Sequence, residues 1–397
     1  MTNGGYQHRS LFKLHPGWYG MFAAIMLTCL GIIAISTINP DYAASQGKQW
    51  LPIALIVMAV CVIPHPRVIG LASYPLLIAT LFLLVFLLAP GVPRSIVPIR
   101  NGAKAWINMH FMMLQPSELT KISFVLALAW YLRYRDSYRT LIGLLVPFVI
   151  MLIPVGMILK EPDLGTALLF APTLFAVLIA AGAKLRHIST LLAIGVVLIT
   201  FNISVIVFDL PQWMHVLKPH QEARIASMIW PEKYKDREAY QQTVACRLVS
   251  AGGAIGHGRE RSHILVRYNA LPHPHNDMIF TVISNRWGAA GALAVIGLYL
   301  VMTSSFILVA AKSKDPFARL SCVGFAGMLF TQATINIGVN IGVIPVTGIT
   351  LPFVSYGGSS LVATFAMVGL MLNFASRPPA IISRPSFEYD HVESIFQ

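Results

Sequence analysis

Apolar runs close to twenty residues long recur from one end of this chain to the other, separated by short polar stretches. A helix needs about twenty apolar residues to cross the hydrocarbon core of a bilayer. The pattern predicts ten spans, at Trp18–Thr37, Trp50–Leu71, Pro75–Pro90, Ser117–Leu132, Thr140–Leu159, Leu164–Gly182, Ile188–Phe208, Ile279–Ala311, Arg319–Val343 and Gly357–Ser376. The third and fourth are short; the eighth is long enough to run past the bilayer. The short alternating segments of a membrane β-barrel are absent. The first run can span and lacks a cleavage site, so it reads as a helix rather than a signal peptide. The expected fold class is an all-α integral membrane protein, one polytopic domain over residues 1–397. One long polar insertion, about 209–276, separates spans seven and eight.

Composition agrees. The 397 residues are 56% hydrophobic and 11% charged, against about 25% charged in soluble domains. The net charge of +13 reads as membrane topology and attraction to anionic lipid rather than nucleic-acid binding. Arg9, Lys13, Arg67, Arg133, Arg135, Arg139, Lys184, Arg186, Lys312, Lys314, Arg377 and Arg384 fall in one set of alternate loops. That bias puts both termini in the cytoplasm and the long insertion outside. Arg94, Arg100 and Lys104, before span four, break it. An anionic ligand or a helical hairpin dipping into the membrane would explain them. Three of the four cysteines lie in apolar runs, so no disulfide framework is expected, and no metal-ligand spacing occurs.

Polar groups at the span ends carry the candidate chemistry. Asp277 sits where the long insertion meets span eight. It is either a helix N-cap or a partly desolvated carboxylate suited to proton abstraction. Glu118 and Lys121, three apart at the start of span four, share a helix face. They pair with each other, or Lys121 meets an anion in a polar cavity with Glu118 holding it. Asp163 follows Pro162 between spans five and six and can cap span six. The proline- and glycine-rich segment from Pro345 to Ser360 has no charge, and backbone of this kind survives at membrane depth only if buried or lining a cavity. Ser359 and Ser360 read as caps of span ten whose hydroxyls could also meet sugar or phosphate oxygens. Asn336 and Asn340 share a face of span nine and read as helix–helix hydrogen bonding.

Several motifs in order resemble the SEDS family (shape, elongation, division and sporulation), whose members include RodA and FtsW. They are Asn101-Gly102-Ala103-Lys104 with Trp106-Ile107-Asn108, Gln115-Pro116-Ser117-Glu118-Leu119 with Lys121, Glu161 through Ala167, Gly252 through Gly256, Leu271-Pro272 with His275, Asp277, Ile279 and Phe280, Asn336-Ile337-Gly338, and Pro345 through Ser360. The resemblance implies a peptidoglycan glycosyltransferase of the bacterial cytoplasmic membrane. Such an enzyme polymerises lipid II at the outer face and works with a class B penicillin-binding protein. It implies Asp277 as the essential carboxylate. On that reading Lys121, assisted by Arg100 or Lys104, neutralises the pyrophosphate. Arg224 and Arg247 face the lipid phosphates, and His275, Glu118, Asp163, Ser359 and Ser360 complete the substrate site. No resident metal site is expected; a divalent cation such as Mg could share the neutralisation. A lipid II flippase and a non-catalytic scaffold of the wall-synthesis complex are the alternatives. The chain departs from the family at Ala105, usually arginine, and at His273, Asn285 and Arg286, usually acids. The last three should lower the pKa of Asp277.

Overall fold

The computed structural model describes residues 15–99, 103–109, 113–208, 211, 219–234 and 238–377. In chain order its long helices begin with α1 (Gly17–Ile38), α2 (Pro40–Val62), α3 (Pro66–Leu88) and α4 (Pro116–Leu132). Next come α5 (Ile142–Lys160, with a 3₁₀ first turn), α6 (Leu164–Ala181) and α7 (Leu185–Val207). The insertion contributes α8 (Pro219–Ile229), α9 (Glu238–Ala251) and α10 (Gly258–Tyr268). Finally α11 (Ile279–Lys312), α12 (Pro316–Asn340) and α13 (Gly358–Ser376) complete the bundle. Among the described residues nine helices are long and apolar enough to cross a membrane; α4, the fourth span expected from the sequence, has 17 residues and is not among the nine. The all-α membrane architecture read from the pattern is therefore the one observed.

Two spans are displaced. The second runs over Pro40–Val62 rather than Trp50–Leu71, and the third over Pro66–Leu88 rather than Pro75–Pro90. Pro64 and Pro66 stop the chain there. Pro66 takes the first helical position, where its missing N–H costs nothing, and His65 Nδ1 accepts from Arg67 N at 3.2 Å. Pro75 lies inside α3, as apolar spans tolerate. Among its described residues the loop before α4 shows no helical hairpin. Its described residues form a two-residue antiparallel pair, β1 (Ile107–Asn108) with β2 (Met113–Leu114).

The core sits on α12, which packs against α4, α6 and α11, while α13 packs against α2. Helices α12 and α13 are the most buried of the candidate spans. By contrast α7 buries only Ile188 and Val205. The insertion is not a solvated loop. Helix α9 packs on α11 and α12, and α10 packs on α11 and α1.

Helix α11 is two helices in line. Gly288 breaks it with φ of 66°, a conformation open to glycine at little cost. The turn 252–257 repairs the break. Ala289 N donates to Gly253 O at 2.8 Å, Ala290 N to Ala254 O at 3.2 Å, and His257 N to Asn285 O at 3.0 Å. The approach is so close that a Cβ on Gly252 would stand 2.1 Å from Ser284 O, and one on Gly256 2.3 Å from Arg286 O. The segment Ile279–Trp287 is thereby held as a separate buried arm ahead of the rest of the span. Replacing Gly252 by Ala should force these backbones apart and cost about 1–3 kcal/mol, read as a lower thermal midpoint of the purified protein in detergent.

Candidate active site

Asp277 lies just before α11, and it does not cap that helix. The N-cap position belongs to Met278, which makes no side-chain cap bond. The carboxylate is 8% exposed. Its Oδ2 accepts from Gln241 Nε2, on α9, at 3.1 Å, and its Oδ1 is buried with no partner. The backbone carbonyl of the same residue accepts from Asn336 Nδ2 and from Asn340 Nδ2, both at 2.9 Å. Asn336 Nδ2 also reaches Ile349 O at 2.7 Å, and Asn340 Oδ1 accepts from Thr281 N at 3.1 Å and Thr281 Oγ1 at 2.7 Å. The helix–helix reading of these asparagines holds for Thr281, but their main office is to fix the loop that carries Asp277.

The neighbouring residues are fixed in the same way. Ser355 Oγ donates to Asn276 O at 2.6 Å, and Tyr356 N donates to His275 O at 2.9 Å. The His275 ring lies 4.8 Å from that of Tyr42, which stacks on Tyr356 at 4.7 Å. Burial, with the charge of His273 second, lowers the pKa of His275. Burial raises the pKa of Asp277, and the charges of His273 and Arg224 and the Gln241 bond oppose it. The expected lowering by His273 is present, but burial outweighs it.

One turn further along α12, at roughly 6 Å for four residues, Gln332 continues the stripe begun by Asn340 and Asn336. Its Oε1 accepts from Lys121 Nζ at 2.9 Å, and its Nε2 donates to Thr350 O at 3.0 Å. Lys121, 1% exposed, also pairs with Glu118 at 2.9 Å. The paired reading is thus correct, and the pair still borders the polar stripe. Asp163 caps α6, accepting from Thr166 N at 3.0 Å and Thr166 Oγ1 at 2.7 Å, and from Gln115 Nε2 at 3.4 Å. Next to it, Glu161 has both carboxylate oxygens buried without partners. Burial first, and the charge of Asp163 second, push its pKa to about 8.

Of the expected site residues, Asp277, His275 and Arg224 come together at one pole. Lys121, Glu118 and Asp163 come together at the other, and α12 joins the two. Arg247 is exposed, six residues beyond Gln241 and so roughly 240° further round α9. Lys104 is exposed. Arg100 lies outside the described residues. Ser359 and Ser360 do not cap α13, because Gly357 holds that position; the Ser360 Oγ lies 3.5 Å from Thr350 Oγ1. The residues missed by the sequence reading are Gln332, Gln241 and Gln46. Gln46 pairs with Ser355 O at 3.2 Å and with Gly357 N at 3.3 Å. The four-residue spacing of Gln332, Asn336 and Asn340 was a usable signal; the two other glutamines gave none.

Asn285 and Arg286, two of the four departures from the SEDS pattern, have structural explanations. Asn285 Nδ2 donates to Leu248 O at 2.8 Å, a bond no carboxylate could make. Arg286 Nη1 donates to Ile33 O at 2.7 Å and Thr37 Oγ1 at 2.5 Å, closing the end of α1. Ala105 is buried, at 2% exposed, and nothing in the structure explains the alanine there.

The family model of FtsW, RodA and SpoVE, described as cell cycle proteins, matches residues 10–378. The chain belongs to this family. A probable peptidoglycan glycosyltransferase FtsW from Trichlorobacter lovleyi is 32% identical over 92% of this chain and 85% of its own length. One from Legionella pneumophila is 31% identical over 89% and 87%. Among solved structures, a chain of a peptidoglycan synthase complex that coordinates polymerisation and crosslinking aligns with a TM-score of 0.73 and 30% identity. That alignment covers 89% of this chain and 96% of the other. Thermus thermophilus rod shape determining protein RodA aligns with a TM-score of 0.63 and 28% identity, over 90% and 95%.

Two predictions concern this site. Lys121→Met strands the buried Glu118 carboxylate and should cost about 3–5 kcal/mol. Adding Glu118→Gln should recover most of the loss, and thermal unfolding of the single and double variants checks it. Glu161 has a folded pKa of about 8 against 4.5 for the free group. Its ionisation therefore erodes stability as pH rises between those values and no further above them. Glu161→Gln should raise the thermal midpoint above pH 8, with the gain vanishing as pH falls towards 4.5. An equal gain at every pH would contradict the assignment.

Proposed function

We infer that this protein is a peptidoglycan glycosyltransferase that extends glycan strands from lipid II at the outer face of the cytoplasmic membrane. Membership of the family and relatives named as peptidoglycan glycosyltransferases support the reaction class. The observation that carries the site is Asp277: a buried carboxylate with one oxygen tethered and the other free. The excess of basic residues in alternate loops supports cytoplasmic termini and puts Asp277 outside.

The proposed chemistry needs one base and one anion-stabilising cation. The 4-hydroxyl oxygen of the acceptor sugar attacks the anomeric carbon of the donor. Asp277 Oδ1 takes the hydroxyl proton as the new C–O bond forms. The bond from the anomeric carbon to the pyrophosphate oxygen breaks, and undecaprenyl pyrophosphate leaves with the electron pair. A retaining route would call for a second carboxylate close by. Direct inverting displacement fits a single base at this pole, with the Glu118 and Asp163 carboxylates spent on Lys121 and Thr166. Lys121 offsets the charge gathering on the pyrophosphate, and Arg224 acts near Asp277. Among the described residues no group of three or more His, Cys, Asp and Glu side chains could hold a metal ion. A divalent cation such as Mg, bound to the pyrophosphate oxygens, would share that neutralisation. The similarity to a chain of a complex coupling polymerisation to crosslinking supports a class B penicillin-binding protein as partner.

Asp277→Asn should reduce polymerisation of labelled lipid II by at least about 100-fold, the low end of what a general base contributes. The assay uses purified protein with its partner transpeptidase, and unchanged thermal stability controls for folding. Wild-type rates from Asp277→Asn would reject Asp277 as base. Product from neither variant, with lipid II binding intact, would favour the flippase or scaffold.

A further inference from the structure

We propose that Gln241 is a positioning residue for glycan polymerisation: it tethers one oxygen of the Asp277 carboxylate and so selects the other, Oδ1, as the proton acceptor. The inference rests on the glycosyltransferase reading above. Its basis is an asymmetry. Asp277 is held three times, twice through its carbonyl by Asn336 and Asn340 and once through Oδ2 by Gln241 Nε2 at 3.1 Å. The two asparagines fix the backbone; Gln241 is the described side chain that bonds the carboxylate itself. Oδ1 is left buried and unpartnered, the state a base needs when its proton comes from substrate.

The tether is anchored. The adjacent Gln242 donates to Ile344 O at 2.6 Å and to Val339 O at 3.2 Å. That pins α9 to the end of α12, the helix that also carries Asn336 and Asn340. Both ends of the Asp277 contact are therefore referred to one rigid element. The amide can present only N–H to an ionised carboxylate, because its own oxygen would be repelled. It stabilises the charged form and rotationally locks it.

The charged and titratable groups acting on Asp277 are Arg224 of α8 and His273 of its own loop. From α12 come the amides of Asn336 and Asn340, and from α9 that of Gln241. Arg224 and His273 are the same residues in every variant altered only at position 241. A comparison across those variants isolates the tether.

The experiment is the pH dependence of lipid II polymerisation by the full-length protein with its partner transpeptidase. Wild type is compared with Gln241→Met, which keeps length and loses the donor, and with Gln241→Glu, which sets a carboxylate against a carboxylate. Loss of a hydrogen bond to a charged acceptor should move the acid limb of kcat up by about one pH unit in Gln241→Met, and further in Gln241→Glu. At a pH on that acid limb kcat should fall by up to about tenfold in Gln241→Met, with KM within about twofold of wild type. Asp277→Asn, run alongside, separates the two claims. If Asp277→Asn is inactive but the Gln241→Met profile superimposes on wild type, the tether is overturned and the base stands. If Asp277→Asn is active, the base is overturned and the tether with it. Thermal midpoints within a few degrees of wild type, or a normal rate restored at high pH, exclude simple misfolding as the cause of a shifted limb.

Discussion

Two asparagine amides on one face of α12 converge on a single carbonyl oxygen, that of Asp277, and most of the site depends on that convergence. In a bundle with little water, an unpaired carbonyl is costly, so the bonds hold firmly. Asn340 carries the start of the α11 arm through Thr281. Asn336 carries the proline-rich segment through Ile349, and Gln332 carries Thr350 and Lys121. One helix thus sets the relative placement of the Asp277 carboxylate, the Lys121 ammonium and the uncharged wall between them. None of these amides has chemistry of its own to contribute. Their contribution is to give two reactive side chains a shared frame, which is what proximity and preorganised electrostatics both require.

Burial explains the electrostatics of this frame. Asp277 is desolvated, and the cationic groups beside it only partly offset that. The result is a carboxylate that holds a proton more readily than an exposed one. Glu161 is the contrasting case: it is buried, unpaired and beside Asp163, and is neutral over much of the working range. The two acids differ in what surrounds them, since both begin as ordinary carboxylates.

Much of the fold was legible because a bilayer imposes a length on apolar runs, and ten such runs stand out. The errors fell where that constraint is silent. Pro75 sits inside a helix and looked like a start, whereas Pro64 and Pro66 are the break. Asp277 and Lys121 were readable because charge near apolar runs is rare. Ser359 and Ser360 were misassigned because a serine at a helix start usually caps, and here Gly357 takes that place. Gln241 could not be found from sequence. It lies 36 positions from Asp277, in a polar insertion where a glutamine is unremarkable, and only the docking of α9 gives it meaning.

The clamp on Asp277 also has a consequence in time. Its donors, Asn336 and Asn340, lie 59 and 63 residues downstream of the carbonyl they hold. A ribosome delivers Asp277 to the membrane well before it delivers them. Until α12 has inserted, the Asp277 carbonyl lacks both of these donors. The frame is completed later still, when the segment behind α12 brings Ser355 to Asn276 and Tyr356 to His275.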